Sequence, residues 1–588
     1  MLLDRILSVL LFCAAPLLAQ DRPIAFIPEF KINPVSGALV QGNGQTVETL
    51  RERFNLVDER GSLRLSAVPG ETAAFQLVLP PEPWLQIHLE NPSAFPCTLY
   101  QVGSVKVPEL ENRYFPDLLV PLPGNAPGDR FSMVKDAQVV PAGSAWQVIW
   151  VEIPLAAQTP AGEYAFTLRI SGEKINQAVT VNLTVHGAAL PPPRLLLDLN
   201  EYGDKYLYPF RKSFSPQELA RLEQVVFRMG RDHYGVINPL PYESQSGEAR
   251  EGLVPKVLNY DLLHPQLDWS EFDARFGPYF DGSAFADGVP LRHFYLPFNP
   301  DWPAPFKLYL SDREQYEQIW TAFAREYIRH FTEKGWTRTI FQVYCNQKPG
   351  KGNEIPWNLD EPKGVDDYQA LRYYAELTHR VFAANARPQA ESGALKVRFR
   401  VDISHFYCDE HRGNRDKDFR VNGGDKILEA VDIWVISGHS LNGEAAAQEA
   451  RKLLAAGKEV WIYSETPLIA EGSPRAFQRI YRAREQEWSG FMAWKSVARE
   501  LHAGKGSDFI FYAIEAGGEK GIYPSLRLKL LKRAIDDTRL LELARSRGAF
   551  TPAESAAHRL AYQTGDREAI WSFRTTIHER IFGKKTHE

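Results

Sequence analysis

The pattern of hydrophobic and polar positions divides the chain into a short apolar leader, a β-rich region and a longer region of mixed strands and helices. Residues 6–19 form an apolar run that follows Arg5 and ends in the small residue Ala19. This run is shorter than the roughly 20 apolar residues that a membrane-spanning helix needs. Its composition is typical of a secretory signal peptide, so residues 1–19 are predicted to direct export to the periplasm or the cell exterior.

Residues 20–190 have the pattern of an all-β sandwich. Short segments rich in β-branched and aromatic residues alternate with turns built from Gly and Pro, and the clearest segments are residues 73–79, 146–153, 164–170 and 178–185. Strands at such regular spacing are typical of two packed sheets. Three consecutive prolines at 191–193 cannot continue a helix or a central strand, so residues 191–194 are predicted to link two domains.

Residues 195–548 alternate between apolar strand patterns and amphipathic helical patterns. The eight predicted strands begin at Leu195, Leu291, Thr339, Lys396, Val431, Glu459, Gly490 and Asp508. One helix is predicted to begin with Ser215 as its N-cap and Pro216 in its first turn. Eight such units predict a (β/α)8 TIM-type barrel, followed by a short helical tail over residues 549–588. A doubly wound sheet is the alternative, but it normally has a Gly-rich turn after its first strand, where this chain has Asn200-Glu201-Tyr202.

Composition and charge narrow the possible function classes. Hydrophobic residues at 44% and charged residues at 24% are typical of a globular chain rather than a disordered or disulfide-stapled one. The net charge is −5 and no dense block of Lys and Arg occurs, so no nucleic-acid partner is expected. No stretch after the leader is apolar enough to predict a membrane span. Cys97, Cys345 and Cys408 remain once the leader is removed, which allows at most one disulfide.

The sequence predicts neither a metal nor a cofactor. His405, Cys408 and His411 are spaced three residues apart, as in part of a metal site. Zinc sites usually have three or four protein ligands, and no obvious further ligand completes this set. The chain also lacks a P-loop, a Gly-x-Ser-x-Gly elbow and a His-Glu-x-x-His motif.

Several predicted strand ends carry polar or aromatic residues. In a (β/α)8 barrel the functional site lies at the carboxyl ends of the strands. Aromatic rings stack on the apolar faces of sugars, and polar groups bind their hydroxyls, so these strand ends suggest a sugar pocket. Each residue taken alone fits a packing role better than a functional one, and it is the pattern as a whole that predicts the pocket. The predicted substrate-binding residues at strand ends are His293, Tyr295, Tyr344, Asn346, His405, Tyr463, Glu465, Trp494 and Tyr512.

The segment Trp357-Asn358-Leu359-Asp360-Glu361-Pro362 places two adjacent carboxylates in the loop after the strand at 339–344. Glycoside hydrolysis needs a carboxylic acid that protonates the leaving oxygen and a second group that stabilises positive charge on the sugar. Asp360 and Glu361 are therefore candidate catalytic residues, and Trp357 is a candidate wall of a sugar subsite. A solvated acidic turn, or an N-cap for the helix at Asp367, is the alternative interpretation.

Three groups of short motifs occur in order along the barrel region. They are Asp281-Gly282-Ser283-Ala284-Phe285 with His293-Phe294-Tyr295-Leu296-Pro297; Gly335-Trp336 leading into the strand at 339–344 and the Asp-Glu-Pro; and residues 490–494, 521–528 and 534–537. Together they resemble the catalytic domain of glycoside hydrolase family 123 and the wider domain-of-unknown-function 4091 group. Pro69-Gly70-Glu71 in the predicted sandwich is similar to the N-terminal domain of that group.

The resemblance implies a retaining β-N-acetylgalactosaminidase that uses the substrate's own 2-acetamido group as nucleophile. Glu361 would then be the general acid/base, and Asp360 would orient and polarise the acetamido N–H. The chain departs from the family pattern at the strand end, where Asn346-Gln347 are the amide counterparts of the expected acids and the Asp-Glu-Pro follows 14 residues later. Either an insertion has moved the catalytic pair into the loop, or Asn346 and Gln347 occupy the site and catalysis is lost, because an amide cannot act as a general acid.

The sequence therefore supports one favoured function and two alternatives. The favoured function is an exported glycoside hydrolase that cleaves a β-linked 2-acetamido sugar, with a glycan as its partner. One alternative is a non-catalytic glycan-binding protein on a hydrolase-like scaffold. The other is a retaining glycosidase of different specificity that uses Glu361 and Glu465, whose carboxyl groups would then lie roughly 5–5.5 Å apart.

Overall fold

The computed structural model describes residues 22–91, 95–122, 130–133, 136, 138–244, 246–350, 354–384, 394–406, 419 and 422–582. The predicted leader, Cys408 and His411 lie outside these residues. Cys97 and Cys345 are buried free thiols. Within the described ranges, no helix has the length and apolar character needed to cross a membrane.

Two five-stranded sheets and a short helix, α1 (Val47–Phe54), make up the N-terminal region. The strands are β1 (Ile24–Phe26), β2 (Ser62–Ala67), β3 (Thr72–Leu79), β4 (Leu85–Glu90), β5 (Thr98–Val107), β6 (Arg113–Pro121), β7 (Arg130–Ser132), β8 (Gln147–Pro154), β9 (Gly162–Gly172) and β10 (Asn176–Val185). The first sheet has the order β1-β3-β8-β5-β6 and the second β2-β10-β9-β4-β7. Apolar side chains from both sheets, Phe75 and Phe166 among them, share one core, which makes the region a sandwich.

Strand β3 explains how the sandwich is attached to the rest of the molecule. All eight of its residues are buried, so it lacks the in–out alternation of a strand with one solvated face. Phe75 and Leu77 point into the core between the two sheets. Ala74 and Val78 point the other way, into the large core that includes the barrel residues. The first sheet is therefore buried on both faces.

Eight parallel strands form a nearly closed barrel. They are β11 (Leu196–Glu201), β12 (Gly235–Pro239), β15 (His293–Tyr295), β16 (Ile340–Tyr344), β17 (Lys396–Ile403), β18 (Ile433–Ser437), β19 (Glu459–Tyr463) and β20 (Gly490–Ala493), with a small hairpin of β13 (Lys256–Val257) and β14 (Leu267–Asp268) after β12. The order is β12-β11-β20-β19-β18-β17-β16-β15. Between β12 and β15 the Asn238 side chain accepts a hydrogen bond from the Tyr295 amide at 3.1 Å, which bridges the one open seam of this sheet.

Helices connect most of the barrel strands. They are α2 (Pro216–Asp232), α3 (Ser270–Phe280), α4 (Phe306–Ser311), α5 (Arg313–Glu333), α6 (Val365–Ala384), α7 (Glu444–Ala455) and α8 (Pro474–Glu485). Helix α2 begins as predicted, because the Ser215 side chain accepts a hydrogen bond from the Glu218 amide and the Glu218 carboxylate binds the Ser215 amide in return.

The predicted eighth barrel strand is wrong. The segment at 508–512 leads instead into a separate sheet of β21 (Val497–Ala498), β22 (Phe511–Ala516) and β23 (Glu519–Pro524). The barrel strand missing from the prediction is β12. This strand is short and has a Gly at one end and a Pro at the other, in the sequence Gly235-Val236-Ile237-Asn238-Pro239. Only two consecutive apolar residues lie between them, too few to predict a strand.

Three helices close the chain: α9 (Leu526–Ser546), α10 (Pro552–Thr564) and α11 (Arg567–Phe582). Helix α9 is buried on nearly every side despite its many charged residues. Those charges pair with the sandwich: Arg527 binds Asp117 of β6 at 2.9 Å, and Arg533 binds Glu29 at 2.6 Å. The helix therefore joins the sandwich and the barrel into one packed body.

Candidate active site

The loop between β16 and α6 brings Asp360 and Glu361 back to the strand ends. After β16 the chain passes through Asn346 and Gln347, runs outward, and returns where the Leu359 amide donates to the Gln347 carbonyl at 2.9 Å. The Glu361 amide then donates to the carbonyl of Asp402 on β17 at 3.2 Å. The end of the loop therefore returns to its beginning, and the two carboxylates lie at the carboxyl ends of β16 and β17.

The returning part of this loop is held by side-chain caps. The Asp367 carboxylate accepts hydrogen bonds from the amides of Asn358 at 2.8 Å and of Lys363 and Gly364 at 2.9 Å each. The Asn358 side chain donates to the Glu361 carbonyl at 2.8 Å. These bonds hold Glu361 in the left-handed region at φ 58°, which is uncommon for a residue with a side chain.

Backbone strain is concentrated at this face of the barrel. Nine non-glycine residues have positive φ in the described part of the chain. Three of them are here: Glu361, Ser464 after β19 and Lys495 after β20. Strained residues persist where the surrounding structure over-determines them, and they cluster at functional sites. The backbone therefore points to the same face as the carboxylates do.

Each carboxylate accepts a hydrogen bond from a tyrosine on a barrel strand. The Tyr344 hydroxyl donates to Asp360 at 3.0 Å, and the Tyr463 hydroxyl donates to Glu361 at 2.7 Å. The ammonium of Lys348 bridges the pair, at 3.1 Å from Asp360 and 3.4 Å from Glu361. The Asp360 side chain is 14% exposed and that of Glu361 is 32% exposed, so a ligand can reach both.

Burial controls the protonation of the site. It raises the pKa of Asp360 to about 6, with the negative charges of Asp402 and Glu361 acting in the same direction and Lys348 opposing them. Burial also raises the pKa of Tyr344 and Tyr463, so both phenols stay protonated and donate to the carboxylates. Asp360 therefore changes its charge within the range of ordinary enzyme pH optima.

A buried arginine supports the site from inside the barrel. Arg400 is fully buried and binds Asp402 through two hydrogen bonds, at 2.8 and 3.1 Å. Its guanidinium also binds Asp198 of β11 at 2.7 Å and lies 4.9 Å from the centre of the Tyr344 ring. Arg400 therefore holds the ring of Tyr344, whose hydroxyl reaches Asp360.

Three other carboxylates at strand ends are already engaged. Asp402 pairs with Arg400, as described above. Glu201 after β11 is 3% exposed and accepts from the amides of Tyr202 at 3.0 Å and Val497 at 3.3 Å. Glu465 after β19 forms an ion pair with Arg479 at 3.0 Å. An ion pair of this kind is a structural role for a carboxylate at the rim of the barrel. Because these three carboxylates are engaged, Asp360 and Glu361 are the accessible acidic pair.

An aromatic wall stands on the β11 and β20 side of the site. The Trp494 indole donates to the Tyr202 hydroxyl at 2.9 Å, and the two rings meet edge to face at 6.3 Å. Tyr202 follows β11 and Trp494 follows β20, so the wall stands on the same end of the barrel as the carboxylate pair, and the charge of Asp360 adds to burial in raising the pKa of Tyr202. Trp494 thus follows a barrel strand, at the kind of position where the sequence predicts a substrate-binding residue.

Other predicted site residues lie elsewhere. Asn346 and Gln347 are buried beside the loop, at 2% and 0% exposure, with no side-chain partner in the described structure. His293 is fully buried at the start of β15, where its ring binds Gln342 at 3.0 Å; it lies inside the barrel rather than at a carboxyl end. Tyr295 is buried one layer below the site and accepts from Asn200 at 2.7 Å.

Trp357 and Tyr512 also have packing roles. The Trp357 ring meets the rings of Phe306 and Tyr309 edge to face at 5.3 and 5.6 Å, within an aromatic cluster. Tyr512 belongs to β22, outside the barrel, and donates to Asp117 of the sandwich at 2.5 Å. Its predicted place at a strand end fails because 508–512 is not a barrel strand. His405 follows β17 on the site face and is half-buried, and its carbonyl accepts from the Phe419 amide.

Sequence reasoning missed Lys348, Tyr202 and Arg400. Arg400 and Asp198 had a detectable signal, because a charged residue within an apolar parallel strand needs a buried partner. Lys348 stands directly after the amides that replace the expected acids, but its partners are apparent only once the loop has returned. Tyr202 gave no signal beyond its position after β11.

A large cavity lies at the other end of the barrel. It measures about 1240 Å³ between the sandwich and the amino ends of the strands, with Glu71, Leu196 and Arg292 among its lining residues. Glu71 is already paired with Arg574 of α11. The reactive end of a (β/α)8 barrel is its carboxyl end, so size alone does not make this cavity the active site.

Comparisons with known proteins identify the fold. Neither protein-family models nor curated proteins gave a match. The chain is similar to a solved family 123 glycoside hydrolase from Clostridium perfringens, described in a study of glycolipid glycan hydrolysis, with a TM-score of 0.57 and 13% identity. The match covers 95% of this chain and 97% of that one. The resemblance to family 123 is thereby confirmed at the level of the fold.

Two further glycoside hydrolases are more distant. Xylanase10C from Cellvibrio japonicus has a TM-score of 0.34 at 10% identity, over 79% of this chain and 91% of that chain. An endo-β-1,4-mannanase from Thermotoga petrophila has a TM-score of 0.32 at 12% identity, over 58% and 76% of the two chains. Similarity this low supports no comparison of sites. The chain shares the fold of the family 123 structure, and its chemistry is argued from its own residues.

Proposed function

We propose that this protein is a glycoside hydrolase that cleaves a β-linked 2-acetamido sugar, N-acetylgalactosamine in the first instance, by substrate-assisted retention. The observation that carries the proposal is the return of the loop after β16. It brings Glu361 within 3.2 Å of the Asp402 carbonyl and within 2.7 Å of the Tyr463 hydroxyl, at the end of the barrel where such sites lie. The displaced Asp-Glu pair thus lies at the strand ends, and the amides that precede it are buried.

In this mechanism the two carboxylates act in sequence on one sugar. Glu361, as the acid, protonates the glycosidic oxygen, while ionised Asp360 accepts the acetamido N–H and increases the nucleophilicity of the acetamido oxygen. That oxygen attacks the anomeric carbon as the leaving group departs, and a cyclic intermediate forms. Glu361 then deprotonates a water molecule. The water attacks the anomeric carbon from the face that the leaving group occupied and breaks its bond to the acetamido oxygen, so the configuration is retained.

The engaged state of the other carboxylates supports substrate assistance. A conventional retaining enzyme needs a second carboxylate roughly 5–5.5 Å from the acid, free to attack the sugar. Glu465 is neutralised by Arg479, and Asp402 by Arg400. Asp360 is adjacent to Glu361 in the chain, a spacing that suits a group that orients the acetamido N–H. The substrate's own carbonyl oxygen then supplies the nucleophile.

We also propose that the protein acts after export. The apolar run at 6–19 has the features of a cleavable leader, and glycans are abundant outside the cytoplasm. N-terminal sequencing of protein secreted from an expression host tests this point. A mature chain that begins near residue 20 supports export, whereas retention of residues 1–19 in the cytoplasmic fraction contradicts it.

The decisive experiment measures hydrolysis of 4-nitrophenyl β-glycosides by the mature protein and by Glu361→Gln. Loss of the acid/base is expected to lower kcat by roughly 10²–10⁴-fold on the acetamido sugars. Glu354→Gln is the matched control, because Glu354 is an exposed carboxylate in the same loop. Equal activity of wild type and Glu361→Gln would show that the acid is elsewhere.

A second measurement tests substrate assistance itself. Fluorination of the substrate's N-acetyl group makes its carbonyl oxygen a poorer nucleophile, so kcat is expected to fall stepwise from acetyl to trifluoroacetyl. Asp360→Asn should lower kcat on the unmodified substrate as well. Rapid turnover of glycosides without an acetamido group, or covalent labelling of Glu465 by a 2-fluoro glycoside, would replace this mechanism with the two-carboxylate one.

A further inference from the structure

Positively charged side chains line one flank of the candidate site. The Lys205 ammonium lies 5.1 Å from the centre of the Tyr202 ring, and the Lys495 ammonium lies 4.2 Å from that of Trp494. Arg499 is exposed and lines the same cavity as Lys495. The rings of Tyr202 and Trp494 form the aromatic wall of the site. Lys205 and Lys495 therefore stand against the two rings of this wall rather than being scattered over the surface.

These three cations have no acidic partner. Among the described residues, no carboxylate oxygen lies within 4.0 Å of the charged nitrogens of Lys205, Lys495 or Arg499. Glu201 is the acid beneath them, but it is buried and its oxygens accept backbone amides. Burial lowers the pKa of Lys205, whereas the charge of Glu201 opposes that shift. The group is thus a set of three cations without a direct ion-pair partner among the described residues.

A cavity continues from this flank. It measures about 500 Å³ and is lined by Tyr208, Lys495, Arg499, Phe509 and other residues, including the acids Glu500 and Asp508. Neither acid forms an ion pair with Lys495 or Arg499 at 4.0 Å or less. The cavity has room for a second sugar or a charged substituent, with an aromatic side and a cationic side.

We infer that this flank binds an anionic group of the glycan, a sulfate ester or a uronic acid carboxylate, next to the sugar that Asp360 and Glu361 process. This inference rests on the proposed function, which supplies the reaction, and it adds the class of substrate. Asp360 and Glu361 share one cation, Lys348, so an anionic substrate is repelled unless other cations stand on its path. The aromatic rings hold two of those cations in place before the substrate binds, which limits the entropy lost on binding.

The inference is tested by the ratio of kcat/KM on an anionic substrate to that on a neutral one. The substrates are 4-nitrophenyl N-acetyl-β-galactosaminide, its 4- and 6-sulfates, and a disaccharide in which a uronic acid follows the acetamido sugar. Wild type is expected to prefer an anionic substrate. Lys205→Met and Lys495→Met should each lower the anionic-to-neutral ratio about three- to tenfold, the size expected for a partly exposed charge contact.

Matched controls separate this effect from net charge. Lys174→Met removes the same charge from an exposed turn of the sandwich and should leave the ratio unchanged. The ratio should also fall as salt is raised from about 0.05 to 0.5 M, because exposed charge interactions are screened. Preference for a sulfate ester over the uronic acid, or the reverse, identifies which source supplies the anion.

Binding to Glu361→Gln, measured by calorimetry, keeps the two proposals distinguishable. Binding of the sulfated sugar that is tighter than that of the neutral sugar, and is weakened in the Lys205→Met background, supports the anionic subsite even if hydrolysis is undetectable. A ratio near one in wild type, or one unaffected by both lysine substitutions, overturns it while leaving the hydrolase proposal intact. Hydrolysis confined to glycosides without an acetamido group overturns the proposed function instead.

Discussion

Lys348 is the cation that links the two carboxylates of the proposed mechanism. Its ammonium lies between the two adjacent carboxylates, at 3.1 Å from Asp360 and 3.4 Å from Glu361. The pair would otherwise place two negative charges side by side in a partly buried site. Lys348 opposes the rise in the pKa of Asp360 that burial produces, whereas the carboxylates raise the pKa of Lys348 in return. The lysine thus favours the ionised form of Asp360.

Removing this charge should move the pH profile. In the proposed mechanism Asp360 acts as an ionised acceptor, so kcat/KM rises as pH passes through its pKa of about 6. Lys348→Met is expected to raise that pKa further and shift the acidic limb to higher pH by about one unit. Lys363→Met is the control, because Lys363 is exposed in the same loop and contacts neither carboxylate. An unchanged acidic limb in Lys348→Met would contradict this role.

Asp360 should also make stability depend on pH. Its pKa is about 6 in the folded chain, against 3.8 for an aspartic acid in an unfolded one, so the folded chain binds the proton more tightly. The free energy of unfolding therefore falls as pH rises between about 4 and 6, by about 3 kcal/mol at full ionisation. Asp360→Asn removes the buried charge and should raise the free energy of unfolding at pH 8 by about 1–3 kcal/mol.

Urea unfolding at pH 8 and pH 5 checks this prediction. The gain from Asp360→Asn should be smaller at pH 5, where the aspartic acid is mostly protonated in the folded chain. Glu354→Gln, in the same loop but exposed, should have little effect at either pH. A loss of stability in Asp360→Asn at pH 8 would mean that its hydrogen bond with Tyr344 outweighs the cost of the buried charge.

At the scale of elements, the loop after β16 depends on one capping side chain. Asp367 accepts three backbone amides, two of them from the residues that directly follow Pro362. It thereby sets the turn that holds Glu361 against β17. The sequence suggests that the acidic segment is either catalytic or a cap for the helix at Asp367. In the structure Asp367 itself accepts these amides, so the cap does not require Asp360 or Glu361.

Asp367→Ala should loosen the loop without touching the reacting groups. Loss of the cap is expected to cost about 1–2 kcal/mol of stability and to lower kcat/KM about tenfold, because Glu361 would no longer be held in place. Asp366→Ala is the matched control, since Asp366 is the exposed neighbour in the first turn of the same helix. Full activity in Asp367→Ala would show that the contacts with Asp402 and Tyr463 position Glu361 unaided.

The layer of side chains inside the barrel gives a second prediction at this scale. Arg400 compensates both Asp198 and Asp402, neither of which can reach bulk water. Arg400→Met is therefore expected to cost about 3–5 kcal/mol, because it strands buried carboxylates. Arg398→Met, two residues earlier on β17 and partly exposed, should cost less than about 1 kcal/mol. Thermal unfolding of both variants provides the comparison, and equal losses would contradict the prediction.

The elements show what sequence patterns can and cannot predict. Strong apolar runs such as β18 and β19 are predictable because all or nearly all of their residues are buried. Strand β12 escapes prediction because Gly235 and Pro239 break the pattern. The segment at 508–512 is misplaced because an apolar run does not reveal which sheet it joins. The positions of Lys348 and Tyr202 depend on how the loops close, and no local sequence pattern encodes that closure.

At the scale of the whole molecule, α9 makes the sandwich and the barrel interdependent. The sequence predicts two domains separated by a proline linker. The structure adds a helix whose buried charges need partners on the sandwich: Arg527 with Asp117, Lys529 with Glu152, and Arg533 with Glu29. Arg574 of α11 further connects Glu71 of the sandwich with Asp537 of α9. Separating the sandwich from the barrel would leave the carboxylates of the sandwich and the cations of the helices without their ion-pair partners.

The sandwich and the barrel are therefore expected to unfold together. Asp117→Asn removes the partner of buried Arg527 and should lower the free energy of unfolding by about 3–5 kcal/mol. The sandwich and the barrel should be destabilised equally. Hydrogen exchange followed by mass spectrometry during thermal unfolding checks this, with peptides from β3 reporting on the sandwich and peptides from β18 on the barrel. Asp58→Asn, in an exposed sandwich turn, is the control. If β3 opened at a lower temperature in Asp117→Asn while β18 was unaffected, the interface charges would stabilise the sandwich alone, and the barrel would have to be regarded as an independent folding unit.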